Sequence, residues 1–97
     1  MSDAVTRHLR ITGRVQGVGY RASLVAMAQQ LGLKGWVRNC RDGSVEAVVQ
    51  GTQKAADDLA AWAHHGPPHA RVDRVQENEG GEGNQGPFAG FHVRADG

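Results

Sequence analysis

The segment with the clearest chemical potential is the glycine-rich run at residues 13–21, Gly-Arg-Val-Gln-Gly-Val-Gly-Tyr-Arg. A glycine-rich turn between a strand and a helix can direct several backbone N–H groups at one point, which is how proteins hold a phosphate. Arg21 closes the run, and its planar guanidinium can donate two hydrogen bonds to phosphate oxygens. These residues therefore indicate a phosphate-binding loop that carries its own cation.

The residues of this loop leave two interpretations open. No Gly-Lys-Ser/Thr closes the run as in a Walker A loop, and the spacing Gly-x-x-x-Gly-x-Gly differs from the dinucleotide-binding fingerprint. Glycines at a strand-to-helix turn also serve only to relieve backbone strain, so an ordinary turn is the alternative to a phosphate site. A cation opposes the dipole at a helix start, which favours an anion bound to Arg21, although a lone arginine is more often a solvated surface charge.

Asn39 is the second candidate, because it ends a predicted strand just before the Asp42-Gly43 turn. Its amide both donates and accepts hydrogen bonds, so it can fix a water molecule relative to a bound phosphate. The alternative is a turn-forming asparagine, which is common at such positions.

The remaining reactive side chains do not predict a site. A cysteine-phosphatase loop needs an arginine six positions after Cys40, and that position is Glu46. Three histidines lie around a helix end and a double proline, without a carboxylate at ligand spacing, so we predict that they are solvated and hold no metal. These histidines are His64, His65 and His69.

Two predicted elements flank the glycine-rich loop. Residues 8–15 alternate between polar and apolar types, the period-two pattern of a strand with one face exposed to solvent. After the loop, apolar residues at i, i+3, i+4 and i+7 form the stripe of an amphipathic helix, which Gly32 ends. The stripe consists of Leu24, Met27, Ala28 and Leu31.

The middle of the chain predicts a hairpin and a second helix. Strands at 35–39 and 45–49 flank the Asp42-Gly43 turn. Thr52 is placed to cap the helix that follows, and Gly66-Pro67-Pro68 ends it because proline cannot continue a helix.

The last third predicts a strand at 70–76, a mobile loop rich in glycine at 79–90 and a short strand at 91–95. The resulting order is β-α-β-β-α-β with a small strand appended. Strands interleaved with two helices in this way predict an α+β sandwich with both helices on one face of the sheet.

Composition limits the functional classes. The 97 residues suffice for one domain, which we place at residues 1–97, with one modest core. A net charge of +1 is too small to create an electrostatic potential that would attract nucleic acid or acidic membranes non-specifically. No apolar run approaches a membrane span, the first residues lack the apolar stretch of a signal peptide, and the single Cys40 allows no internal disulfide. We therefore expect a cytoplasmic, soluble and monomeric protein.

Three segments resemble the acylphosphatases. The run from Gly13 to Arg21 is similar to the family signature Gly-x-Val-Gln-Gly-Val-x-aromatic-Arg. The stretch Leu31-Gly-Leu-Lys-Gly-Trp-Val-Arg-Asn39, followed by Asp42-Gly-Ser-Val45, resembles the second signature. The segment at 66–72 resembles the turn after the second helix. The chain departs from the family in the long loop at 79–90 and in an ending without a terminal aromatic residue.

The resemblance implies a ferredoxin-like βαββαβ sandwich with a mainly antiparallel sheet in the order 4-1-3-2-5. It also implies hydrolysis of the carboxyl–phosphate bond of acyl phosphates, with a small-molecule substrate and without metal or cofactor. The catalytic residues of the family correspond to Arg21 and Asn39. The phosphate-binding backbone corresponds to Gln16, Gly17, Val18, Gly19, Tyr20 and Arg21.

Three alternatives remain beside this activity. One is a non-catalytic module that binds phosphate or an acyl phosphate, although such a binder has no use for a water-orienting amide. Another is an RNA-recognition domain, which shares the element order but needs stacking aromatics on its central strands. Trp36 and Trp62 fit packing better than base stacking, so we expect no nucleic-acid partner. The third is a preference for carbamoyl phosphate, as in related domains fused to larger maturation proteins.

Overall fold

Five strands and two helices follow one another in residues 4–79 and 88–97, the part of the chain that the computed structural model describes. The strands are β1 (Ala4–Arg14), β2 (Lys34–Asn39), β3 (Val45–Thr52), β4 (Arg71–Glu79) and β5 (Phe91–Val93). The helices are α1 (Tyr20–Gln30), between β1 and β2, and α2 (Gln53–Ala63), between β3 and β4.

The strands form one mixed sheet in the order β4-β1-β3-β2-β5. Three of the pairings are antiparallel, whereas β5 runs parallel to β2. The predicted fold class and strand order are therefore confirmed. β4 is longer than the strand predicted at 70–76, because its pairing with β1 continues to Glu79 opposite Arg7. Glu79, which the loop predicted at 79–90 included, thus belongs to β4, and residues 80–87 of that loop lie outside the described residues.

The hydrophobic core lies between both helices and one face of the sheet. Leu9 and Ile11 of β1 have no exposed surface, and the polar residue between them, Arg10, points to the other face. α1 packs over β2 and β5, and α2 packs over β1, β3 and β4. The predicted apolar stripe of α1 contributes Leu24 and Ala28, which are fully buried, while Met27 is only partly buried at the edge. The two helices thus cover one face, as predicted.

Local hydrogen bonds fix one end of each helix. The Thr52 side chain accepts a hydrogen bond of 3.1 Å from the Ala55 N–H, which confirms it as the cap of α2. Gly32 follows α1 with φ 73°, and the Leu33 N–H donates to the Ala28 carbonyl at 2.8 Å. This backbone bond spans the end of the helix and is why a residue tolerant of positive φ stands at Gly32.

Trp36 lies on the face of the sheet that the helices do not cover. Its partner in β3 is Val48, which pairs with His8, and His8 alternates with the buried Leu9. The indole is nevertheless only 5% exposed, because the guanidinium carbons of Arg38 and Arg94 lie 5.3 and 4.4 Å from its ring centroid. Trp36 therefore packs on the sheet, as predicted, and its partners are two cations.

Glu46 is a buried carboxylate on the same face. One of its oxygens lies 2.6 Å from His8 Nε2, and the other accepts from Arg38 Nε at 2.7 Å. Desolvation on its own raises the pKa of Glu46, but the hydrogen bonds from His8 and Arg38 outweigh it, so the pKa lies below its usual range. The folded state consequently binds this proton less readily than the unfolded chain does.

This cluster predicts a pH-dependent contribution to stability. Because the pKa is lowered on folding, the ionised Glu46 stabilises the fold above about pH 4.5, and this contribution disappears as the pH falls through the folded-state pKa. A Glu46→Gln variant should lose about 1–3 kcal/mol of unfolding free energy at neutral pH, and its difference from wild type should shrink in acid. Urea unfolding between pH 3 and pH 8 measures both effects. Asp58→Asn, which breaks an exposed pair with Lys54, should change stability by less than about 0.5 kcal/mol, and a pH-independent Glu46→Gln difference would contradict the assignment.

Candidate active site

A cavity of about 310 Å³ opens where α1 begins and β2 ends. It brings together the glycine-rich loop and Asn39, which lie on different elements and 18 residues apart at their nearest (Arg21 to Asn39). The lining residues are Val15, Gly17, Gly19, Tyr20, Arg21, Ala22, Asn39 and Val93. The two predicted catalytic residues therefore share one cavity.

Two glycines give the loop its shape. Gly17 and Gly19 have φ of 76° and 79°, in the left-handed region that other residues rarely adopt. A Cβ built on either residue would meet no atom within 4 Å. Glycine is therefore required at these positions for backbone conformation and not for lack of space.

The start of α1 presents unpaired donors to this region. Gly19 caps the helix without any side-chain hydrogen bond, and the first turn closes with a 3.0 Å bond from the Ser23 N–H to the Gly19 carbonyl. The N–H groups of residues 19–22 precede that bond and have no acceptor within the helix. Together with the positive end of the helix dipole, they form a suitable site for an anion.

Arg21 lines the same cavity as this helix start. It is the second residue of α1, and its side chain is 37% exposed. Its Nη1 lies 3.4 Å from Asp96 Oδ1, so the side chain is neither buried nor fully solvated. The predicted cation of the loop thus has a carboxylate neighbour that the sequence pattern did not predict.

Asn39 contributes an acceptor with no partner. It is the last residue of β2, and its Oδ1 is buried without any hydrogen bond to the described residues. Its backbone carbonyl accepts a 2.8 Å hydrogen bond from the Gly97 N–H, which fixes the main chain at this point. Asn39 lines the cavity, and because buried polar atoms are nearly always paired, its Oδ1 is an acceptor available to a donor that binds there.

Gln16 and Val18 do not line the cavity with the rest of the predicted loop. The Gln16 side chain instead donates to the carbonyls of Cys40 and Ser44, at 2.8 and 2.9 Å. It therefore ties the glycine-rich loop to the β2–β3 hairpin immediately after Asn39. Val18 packs against the hydrophobic core.

Tyr20 is the first residue of α1, and its side chain joins this helix to α2. Its hydroxyl donates a 2.7 Å hydrogen bond to the Ala63 carbonyl, and its ring centroid lies 5.5 Å from that of Trp62. Burial raises the pKa of Tyr20, so the phenol stays protonated at the pH of any ordinary assay. The hydroxyl is committed to the carbonyl and points into the protein rather than to a substrate.

Sequence reasoning missed Val93, which lines the cavity, and Asp96, which contacts Arg21. Val93 is 48% exposed, although the alternation in the last strand indicated only an apolar position. A single exposed apolar residue is ordinary on a protein surface, so only the structure shows that Val93 lies at the cavity. Asp96 lies in an irregular segment with no periodicity or motif to mark it.

The described residues give two further negative findings. Nowhere in 4–79 and 88–97 do three or more His, Cys, Asp or Glu side chains gather as metal ligands do. The three histidines around the end of α2 are exposed, in keeping with the prediction that they are solvated. Neither helix of this part of the chain has the length and apolar character needed to cross a bilayer.

Comparisons of the sequence and of the fold with known proteins identify the family of this chain. The Acylphosphatase family model matches residues 7–93. An acylphosphatase from Thiobacillus denitrificans is 54% identical over 91 residues, which cover 94% of this chain and 98% of that relative. A solved acylphosphatase from Coxiella burnetii superimposes with a TM-score of 0.88 at 35% identity, over 95% of this chain and 94% of that one. For the Bacillus subtilis acylphosphatase the TM-score is 0.85 at 29% identity, with 93% and 98% covered. The chain therefore belongs to the acylphosphatase family and is a hydrolase that acts on acyl phosphates.

Proposed function

We propose that the start of α1 and Arg21 hold the phosphoryl group of an acyl phosphate while Asn39 orients the water that attacks it. The observation that carries this proposal is that Asn39, whose Oδ1 has no partner among the described residues, lines the same cavity as the uncapped helix start. A site that only bound phosphate would need the donors and the cation but not this acceptor. A water molecule supplies the missing donor.

In this proposal, the groups that contact the phosphoryl oxygens are all hydrogen-bond donors. The N–H groups at the start of α1 and the Arg21 guanidinium all donate, and phosphoryl oxygens only accept. In a loose transition state the negative charge spreads over these oxygens, so fixed donors stabilise it without rearrangement. Arg21 therefore contributes both to substrate binding and to turnover.

Asn39 acts on the attacking water. Its Oδ1 accepts one hydrogen of the water, which leaves a lone pair of the water oxygen to face phosphorus opposite the leaving carboxylate. The main chain at Asn39 is held by the Gly97 hydrogen bond, and the loop is held by Gln16, so the two halves of the site keep a fixed separation. Such positioning is a large part of catalysis when little proton transfer is required.

The cavity suits a reaction in which the substrate accepts the proton of the water. Among the described lining residues there is no His, Asp or Glu, and the Tyr20 hydroxyl is bonded to Ala63. Water attacks phosphorus, the bond from phosphorus to the acyl oxygen breaks, and the carboxylate departs with its electron pair. A phosphoryl oxygen takes the proton. A carboxylate is a stable leaving group, so neither a general acid nor a metal is required.

The test is phosphate release from acetyl, benzoyl and carbamoyl phosphate, with para-nitrophenyl phosphate as a phosphomonoester control. We expect cleavage of acyl phosphates, no comparable cleavage of the monoester and full activity after exhaustive chelation. In ¹⁸O-labelled water, the label should enter phosphate and not the carboxylate. Label in the carboxylate would place the attack at carbon and overturn the mechanism, and equal cleavage of the monoester would overturn the specificity. Phosphate binding without turnover of any substrate would favour the non-catalytic module.

A further inference from the structure

Residues 94–97 form a short segment that touches both sides of the active site. The segment continues from β5 along the end of β2. The Arg94 N–H donates to the Val37 carbonyl at 2.9 Å, and the Gly97 N–H donates to the Asn39 carbonyl at 2.8 Å. The Arg41 N–H donates to the Gly97 carbonyl at 3.0 Å. Asp96 is therefore held beside the cavity by the backbone on either side of it.

The Asp96 carboxylate lies against the cation of the phosphate site. Its Oδ1 is 3.4 Å from Arg21 Nη1, and in the described part of the chain no other carboxylate comes within ion-pair distance of Arg21. The two side chains are 68% and 37% exposed, and they make a single contact rather than a bidentate pair. Such a pair is weak and exchanges easily, so it does not lock the arginine.

We propose that Asp96 competes with the substrate phosphate for Arg21 and thereby sets the affinity of the site for phosphoryl groups. The proposal rests on the function proposed for Arg21 above. A phosphoryl group carries between one and two negative charges at neutral pH. When it binds the guanidinium, the Asp96 carboxylate either gives up its contact or stays within a few ångströms of a like charge. Either outcome weakens the binding of the phosphoryl group.

The penalty acts on affinity and not on the chemical step. The phosphoryl group keeps its negative charge from the bound state to the transition state, so the carboxylate disfavours both by a similar amount. An interaction that is equal in the two states changes KM and leaves kcat alone. This distinguishes the proposal from a role in which Asp96 orients Arg21 for catalysis, because loss of orientation lowers kcat.

The test compares Asp96→Asn with the wild-type chain in two assays. We expect the Kd for inorganic phosphate, measured by titration calorimetry, and the KM for benzoyl phosphate each to fall about three- to tenfold, with kcat within about twofold of wild type. Asp96→Glu keeps the charge and should keep wild-type values. The difference between Asp96→Asn and wild type should also shrink as ionic strength rises from about 0.1 M to about 1 M, because these exposed charges are screened.

Asp58→Asn is the matched control, since it makes the same charge change at an exposed ion pair on α2. It should leave both constants unchanged, and an equal effect there would reduce the result to net charge and overturn the proposal. A raised KM, a lowered kcat or unchanged affinity in Asp96→Asn would also overturn it. The phosphate titration keeps this test separate from the proposed function, because it reports on Asp96 even if the chain turns over no acyl phosphate.

Discussion

An Asn39→Ala variant is expected to lose about 100- to 1,000-fold in kcat on benzoyl phosphate, while its KM stays within about threefold of wild type. The reason is that Asn39 is proposed to contact the attacking water and not the phosphoryl group, so its removal misplaces the nucleophile without removing a binding contact. Steady-state kinetics followed by phosphate release measures both constants.

Asn78→Ala provides the control for this variant. Asn78 is an exposed asparagine on β4, and its truncation should leave kcat and KM at wild-type values. If Asn39→Ala retained wild-type kcat, the water-orienting role would be wrong. A rise in KM that accounted for the whole loss would instead place Asn39 on the phosphoryl group.

An Arg21→Ala variant is expected to lose about 10³- to 10⁵-fold in kcat/KM, with both constants affected. The guanidinium is proposed to contact phosphoryl oxygens in the bound substrate and in the transition state, so binding and turnover should both depend on it. The loss should also appear in the Kd for inorganic phosphate, which calorimetry measures without turnover. Arg21→Lys should recover only part of the activity, because an ammonium lacks the planar two-donor geometry.

Arg71→Ala is the matched control for charge. Arg71 is 85% exposed on β4, and its nearest carboxylate is that of Asp73 at 3.9 Å, so it belongs to the surface and not to the cavity. Its loss should leave kcat/KM within about twofold of wild type. Near-normal phosphate affinity in Arg21→Ala would show that the backbone donors alone hold the phosphate.

The sequence predicted the fold because local patterns and topology rules agree in this chain. Alternation placed β1, helical spacing placed α1, and Thr52 and Gly32 marked helix ends that the hydrogen bonds confirm. The strand order came from the resemblance rather than from spacing. Alternation in a short strand such as β5 does not say which edge of the sheet it joins, or in which direction.

The candidate site was predictable only where it follows a continuous motif. The loop from Gly13 to Arg21 suggested a phosphate site on its own residues, whereas Asn39 gained meaning only from the resemblance. The resemblance assigned Gln16 a role for its backbone only, and in the structure its side chain bonds the hairpin. Asp96 reaches Arg21 across 75 positions of sequence, a contact that depends on the parallel pairing of β5 with β2.

The two Gln16 hydrogen bonds determine how the enzyme loses activity when one segment of the fold opens locally. They join the loop to the turn that follows Asn39, so an opening of the β2–β3 hairpin releases both halves of the site in one event. The free energy of local opening differs widely between segments of a folded domain. Loss of activity would therefore depend on the opening free energy of the β2–β3 hairpin rather than on the unfolding free energy of the whole chain. When the hairpin is less stable than the rest of the fold, mild heating should therefore inactivate the enzyme as the hairpin opens, before the whole chain unfolds.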